Sequence, residues 1–173
     1  LTNATFNSDY STANIANSQT VSVNSNFSTI EIGQIEFAKL KSKRDNITIN
    51  EIIATEIDGN FSSITIKKIK EKLNARLKYG NLLVNNINPS FSKFMLNIMF
   101  TDLTLDLEES TSCNVDITSK FGNLYYDKSS IQLQQEIITT EKGKVRTFGN
   151  IGNNKETNSK IIITSEFGNI KID

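Results

Sequence analysis

The residues of this chain best suited to chemistry are acidic ones, the run Asp102, Asp106, Glu108 and Glu109. Paired carboxylates serve glycosidases and lyases as general acid and base, or hold a hard cation through oxygen ligands. Alternation along an extended strand would put Asp102, Thr104 and Asp106 on one outward face, opposite Leu103 and Leu105. Three readings stand for this face: a charged surface that keeps the protein soluble, a weak cation site, or catalytic carboxylates. A basic cluster, Lys67, Lys68, Lys70, Lys72, Arg76 and Lys78, could meet an acidic glycan or a nucleic acid, but only Tyr79 supplies an aromatic platform beside it. A charged solvent face is the simpler account.

The missing residues narrow the chemistry further. Histidine is absent and cysteine occurs once, at Cys113, which removes His-based triads, Cys/His zinc sites and any intrachain disulfide. Cys113 then reads as a buried thiol with no imidazole to activate it. Nineteen basic residues balance nineteen acidic ones, so no net field draws in nucleic acid or an anionic membrane. No apolar run is long enough to cross a bilayer as a helix. The Gly-Asn pairs at 80–81, 122–123, 149–150 and 168–169 match neither Walker nor dinucleotide-binding spacing, and no credible helix follows them. Neither a cofactor nor a metal is expected. Four Asn-x-Ser/Thr triplets begin at Asn3, Asn26, Asn46 and Asn60, as chance allows in a chain this rich in Asn, Ser and Thr.

The elements that would carry these side chains come from a repeat. Phe27-Ser-Thr-Ile30-Glu-Ile32 recurs as Arg44-Asp-Asn-Ile47-Thr-Ile49 and Phe61-Ser-Ser-Ile64-Thr-Ile66, with a looser copy at Tyr10-Ser-Thr-Ala13-Asn-Ile15. These copies are 17 residues apart. Further copies begin at Tyr79, Phe100, Phe121 and Phe167, after spacings of 18, 21, 21 and 46, and the last gap leaves room for an irregular turn around Phe148-Gly-Asn-Ile151. With the aromatic as position zero, apolar residues at +3 and +5 describe a half-buried strand, and pairs such as Val21/Val23 and Leu96/Ile98 describe another before it. A third apolar position, at +8, holds Ile35, Ile52, Ile69 and Ile87. Ile66, Ile69, Leu73 and Leu77 also fit a helical stripe, yet Leu73, Ala75 and Leu77 alternate in phase with the repeat, which favours a strand.

A unit this short cannot bury its own apolar face, so units must stack and share a core. The expected fold is all-β, a single β-solenoid over residues 1–173. Residues 1–20 would be an incomplete first coil or a linker, and 128–150 an irregular coil. A β-sandwich is the alternative, disfavoured because sandwich strands need not share one 17-residue register. Gly80-Asn81, Gly122-Asn123 and Gly168-Asn169 read as structural corners, because Gly and Asn reach the left-handed backbone region cheaply. Arg44 breaks the aromatic column, which places that column near the surface.

The phrases Leu77-Lys-Tyr-Gly-Asn-Leu-Leu-Val84, Ile117-Thr-Ser-Lys-Phe-Gly-Asn-Leu124 and Ile163-Thr-Ser-Glu-Phe-Gly-Asn-Ile-Lys-Ile172 resemble the recurring units of bacterial auto-transporter-adhesin-like domains of unknown function. That resemblance implies a single-stranded right-handed β-helix on an exported protein of the periplasm or cell surface, with an export signal upstream of Leu1. It implies protein or glycan partners at the envelope and transfers no catalytic residue. The functional expectation is a non-enzymatic scaffold or adhesin-like surface. Its rival is a polysaccharide hydrolase or lyase on the same scaffold, with Asp102 and Asp106 as the only binding or catalytic candidates.

Overall fold

The computed structural model describes residues 3–126, 131–137 and 142–173. The irregular stretch at 128–150 therefore falls partly outside the described residues. Three quarters of the chain is strand, with no helix among the described residues, wound into a β-solenoid of about six turns. In chain order the strands are β1 (Asn3–Asp9), β2 (Thr12–Ile15), β3 (Ser18–Asn26), β4 (Thr29–Lys43), β5 (Asn46–Asn60), β6 (Ser63–Ile66) and β7 (Ile69–Ile87). There follow β8 (Lys93–Leu107), β9 (Cys113–Lys120), β10 (Leu124–Tyr126), β11 (Ile131–Ile137), β12 (Lys144–Ile151), β13 (Lys160–Glu166) and β14 (Ile170–Ile172).

The alternation predicted from sequence is the alternation of the core. In β4, Ile30 and Ile32 point inward, then Ile35, then Ala38, Leu40 and Ser42. The phase resets twice, so each coil has three inward-facing groups separated by corners. The next coil repeats the pattern in register, with Ile30 opposite Ile47, Ile32 opposite Ile49 and Leu40 opposite Ile57. Parallel neighbours at a fixed offset of one coil exclude the sandwich, whose core would lie between two independent sheets. Asn3–Asp9 already pairs with Thr20–Asn26 at the 17-residue offset, so the polar N-terminal stretch is wound as a coil. Ile69–Ile87 is strand, not helix: Leu73, Ala75 and Leu77 are buried against Phe94, Leu96 and Ile98 of the next coil.

The corner after each long arm differs in mechanism from the sequence reading. The residue in the left-handed region is the aromatic itself, with φ of 48° at Tyr10, 49° at Phe27, 55° at Phe61, 56° at Tyr79 and 55° at Phe167, and Arg44 joins them at 56°. The following glycines serve a different need, close approach. A Cβ on Gly80 would lie 2.0 Å from the carbonyl oxygen of Ser62, and one on Gly168 equally near that of Thr101. Gly122 meets Gly168 in the same way. Asn81, Asn123 and Asn169 begin the outward face of the next arm, where Asn123 Nδ2 donates to Asn169 Oδ1 at 3.2 Å.

The second difference is the order of the coils. The chain runs coil upon coil as far as β8, but the neighbour of β8 is β13, and β9 lies beyond it. The C-terminal coil is thus threaded between two coils that are consecutive in sequence. Phe148-Gly149-Asn150 is no corner: it lies within β12, which runs antiparallel to β9, and β11 pairs antiparallel on its outer edge. The 46-residue spacing holds this hairpin and the return of the chain.

A stack of like coils should tolerate loss of a whole coil and not of half. Deletion of Arg44–Asn60 joins Lys43 to Phe61 and keeps every column in register; Ser42 Oγ and Ser62 Oγ already lie within hydrogen-bonding distance across that junction, at 2.9 Å. The shortened protein is expected to melt cooperatively with a modest loss of stability, whereas deletion of Arg44–Glu51 should abolish folding by turning polar faces inward. Circular dichroism melts of both beside the parent check this; equal collapse of the two would contradict the stacked register.

Candidate binding surface

The corner aromatics form a rib along the outside of the solenoid. Tyr10 stacks on Phe27 at 4.8 Å between ring centroids, Phe61 on Tyr79 at 4.7 Å, Tyr79 on Phe100 at 5.0 Å and Phe100 on Phe167 at 4.7 Å. Phe121 closes the series on Phe167 at 5.1 Å. The coil repeat of roughly 4.8 Å imposes this face-to-face arrangement. Arg44 interrupts the series without breaking it. Its guanidinium carbon sits 4.9 Å from the Phe27 ring centre and 5.5 Å from that of Phe61, so the cation is sandwiched in the rib while the residue, like the rings beside it, stays exposed at the surface. The rings are about half exposed, Phe61 at 50%. Their faces are occupied by each other and their edges meet the solvent.

Beneath Arg44 lies a residue that sequence reading passed over. Asp45 is buried at 4% exposure. Its carboxylate accepts hydrogen bonds from Ser25 Oγ at 2.7 Å, the backbone N–H of Ser28 at 2.7 Å, Ser42 Oγ at 2.8 Å and the backbone N–H of Lys43 at 2.9 Å. Ser28 and Ser62 occupy the same place in the neighbouring coils, and Ser62 Oγ accepts from the N–H of Asp45 at 3.2 Å. The inner corner is thus a polar column that ties coils together under the rib. Further along, the column beside it turns apolar at Leu77 and Ile98, and Gly59 makes the change possible, since a Cβ there would meet Leu77 Cδ2 at 2.5 Å. The only signal in the sequence was an acid standing where its repeats carry serine.

The predicted acidic pair is on the outward face, as alternation requires, with Asp102 and Asp106 both exposed on β8. Four positions of strand separate them by about 13 Å, too far for two carboxyl groups to share one glycosidic bond or one cation. Asp102 instead belongs to the asparagine column: its Oδ1 accepts from the N–H of Asn169 at 2.9 Å and from Asn169 Nδ2 at 3.2 Å. Among the described residues no three His, Cys, Asp or Glu side chains are grouped so that they could hold a metal ion. Cys113 is buried, and burial pushes its thiol up to about 12, where it is no nucleophile.

The basic cluster does not form a single patch. Lys67 Nζ donates to Asn50 Oδ1 at 2.7 Å, Lys70 pairs with Glu51 at 2.6 Å, and Arg76 lies opposite Asp58 in the coil before. The Lys70 ammonium, through its hydrogen bond, holds the Glu51 carboxyl below its usual range. Asp116 is lowered likewise by a two-pronged hydrogen bond from Arg146, 2.9 Å on each arm. A shallow concavity of about 620 Å³ opens at the corner beside Glu51, lined also by Asn17, Gln34 and Lys70. Among the described residues no helix is long and apolar enough to cross a membrane. Compared with protein-family models, with curated proteins and with solved structures, the chain matches none.

The Asp45 corner yields a graded prediction. Asp45→Ala leaves one buried and one partly buried backbone N–H group and two hydroxyls without their acceptor and should cost about 2–4 kcal/mol. Asp45→Ser restores the hydroxyl that the neighbouring coils carry and should lose about 1 kcal/mol or less. Denaturant midpoints of the two variants check the order, and equal losses would show that the carboxylate is not part of the column.

Proposed function

We propose that the chain is a non-enzymatic β-solenoid module of the bacterial cell envelope, a rigid scaffold whose outer surface binds protein or glycan in the manner of an adhesin. The observation that carries this reading is the form of the exposed surface. A rib of half-exposed ring edges runs beside flat columns of short polar side chains, among them Thr29, Asn46, Ser63, Asn81 and Asp102. Each column repeats its hydrogen-bonding groups at the coil spacing of roughly 4.8 Å. Such a surface suits an extended partner that meets many coils at once, since many weak polar and ring-edge contacts along a rigid rod add up without ordering costs on the solenoid's side.

The long arms carry matched charges on their outward sides, with Lys39 paired to Glu56 at 3.4 Å and Lys41 in register with Asp58 and Arg76. Balanced columns of this kind favour recognition by shape and hydrogen bonding over bulk electrostatic attraction. The Tyr/Phe-Gly-Asn phrases that resemble adhesin-like domains support the envelope setting.

A polysaccharide panel tests the reading. In affinity gels the protein is expected to be retarded by at least one envelope or host glycan, less so after Phe61→Ala, with no shortening of the polymer. Polymer cleavage that disappears in Asp102→Asn or Asp106→Asn would overturn it, as would immunodetection confined to the cytoplasmic fraction of the source cell.

A further inference from the structure

The threaded C-terminal coil occupies a slot that its own neighbours could close. Lys160–Glu166 pairs in parallel with Lys93–Met99 on one side and with Asn114–Lys120 on the other. Ile170–Ile172 lies likewise between Leu103–Leu105 and Leu124–Tyr126. Through the inserted coil, Lys93 therefore corresponds to Asn114 and Leu103 to Leu124, an offset of 21 residues on both arms. That is also the offset at which β7 pairs directly with β8, Lys72 opposite Lys93 and Leu82 opposite Leu103. Without the insert, β9 and β10 could close onto β8 with Val115 on Phe94, Ile117 on Leu96 and Phe121 on Phe100. The connecting segments have the same length: residues 88–92 join β7 to β8 and residues 108–112 join β8 to β9. The slot is one coil wide, and the chain on both sides of it is in register with or without its occupant.

The occupant is recognised in detail by its own sequence. Phe167 fills the rib between Phe100 and Phe121, and the glycine at 168 is required by the Thr101 carbonyl. Ile161, Ile163, Ile170 and Ile172 complete the interior columns. Its tether is weaker. Residues 152–156 are exposed, and the entry to the slot is pinned by side-chain bonds from Asn114 Nδ2 to the Thr157 carbonyl at 2.9 Å, Thr157 Oγ1 to the Ser112 carbonyl at 2.8 Å and Ser159 Oγ to the Phe91 carbonyl, with the Asn154 N–H on Ser112 Oγ at 3.2 Å and backbone bonds from Asn114 to Ser159 at 2.8 Å and from Lys160 to Ser92 at 3.1 Å.

We propose that this coil is exchangeable between copies of the chain: the slot between β8 and β9 accepts residues 160–172 of a second copy in the same register, linking the two by strand donation. A slot that can close while empty lowers the cost of release, and an occupant specified by ring, glycine notch and isoleucine columns makes a second copy the fitting replacement. The linkage leaves each solenoid complete, because every pairing lost within a chain is remade between chains.

Paired cysteines test the exchange in the full-length protein. Met95 is exposed on β8 and lies opposite Ile162 of β13. The double variant Met95→Cys/Ile162→Cys should close an internal disulfide on mild oxidation, which reports the resident coil. Met95→Cys and Ile162→Cys made separately, mixed at high concentration just below the melting transition and then oxidised, should give a disulfide-linked heterodimer. Its yield should be several-fold above that of Met95→Cys mixed with Asn14→Cys, a pair remote from the slot. Prior oxidation of the double variant should abolish exchange. A heterodimer yield no greater than the Asn14→Cys control, with the internal disulfide forming normally, would overturn the proposal.

Discussion

Everything in this protein depends on one constraint: parallel strands of successive coils must hydrogen-bond at a spacing of roughly 4.8 Å, including at the corners. The aromatic corner meets that constraint with a left-handed residue whose N–H still reaches the next coil, as from Phe27 to the Lys43 carbonyl at 3.0 Å and from Arg44 to that of Asn60 at 2.9 Å. A non-glycine residue pays about 1–2 kcal/mol for that conformation. Ring stacking returns about 0.5–1.5 kcal/mol per pair, and the preserved backbone bond about 1 kcal/mol. The bend is thus stable only as a column, which explains why aromatics recur there and why a planar guanidinium is the one substitute at Arg44.

The same spacing sorts the remaining positions. Because each side chain lies on its counterpart one coil away, a column must be uniform or must manage its changes. Isoleucine columns run unbroken through Ile30, Ile47 and Ile64. Where the inner corner passes from serine to leucine, Gly59 absorbs the difference in size. Where a carboxylate enters the serine column, Asp45 finds four donors waiting, two of them backbone groups. Outside, column logic gives repeated polar rows beside a rib of ring edges, the surface on which the proposed binding role rests.

Much of this was legible in the sequence. The 17-residue recurrence and the period-2 alternation specify the coil, the interior columns and the strand at Ile69–Ile87 despite its helical stripe, because burial columns need only residue type and spacing. The sequence locates the corner but points to the wrong residue of it: glycine's freedom singles out Gly80, whereas the left-handed residue is Tyr79, whose conformation only the stacked neighbours support. The role of Asp45 is not legible because two of its four donors, Ser25 and Ser28, become its neighbours only after winding. The order of the last coils could not be read either. Phe100 and Phe121 stand at a good register for direct contact, so nothing local says that Phe167 lies between them.

The most direct test of the account is an NMR measurement of the corner backbone, through the intraresidue HN–Hα NOEs and couplings of Phe27, Phe61, Tyr79, Phe100, Phe121 and Phe167. Left-handed residues bring HN close to their own Hα. All six are predicted to show strong intraresidue NOEs with moderate couplings, while their strand neighbours show the weak NOEs and large couplings of extended chain. Extended values at these six aromatics, with the left-handed signature moved to Gly80, Gly122 and Gly168, would contradict it.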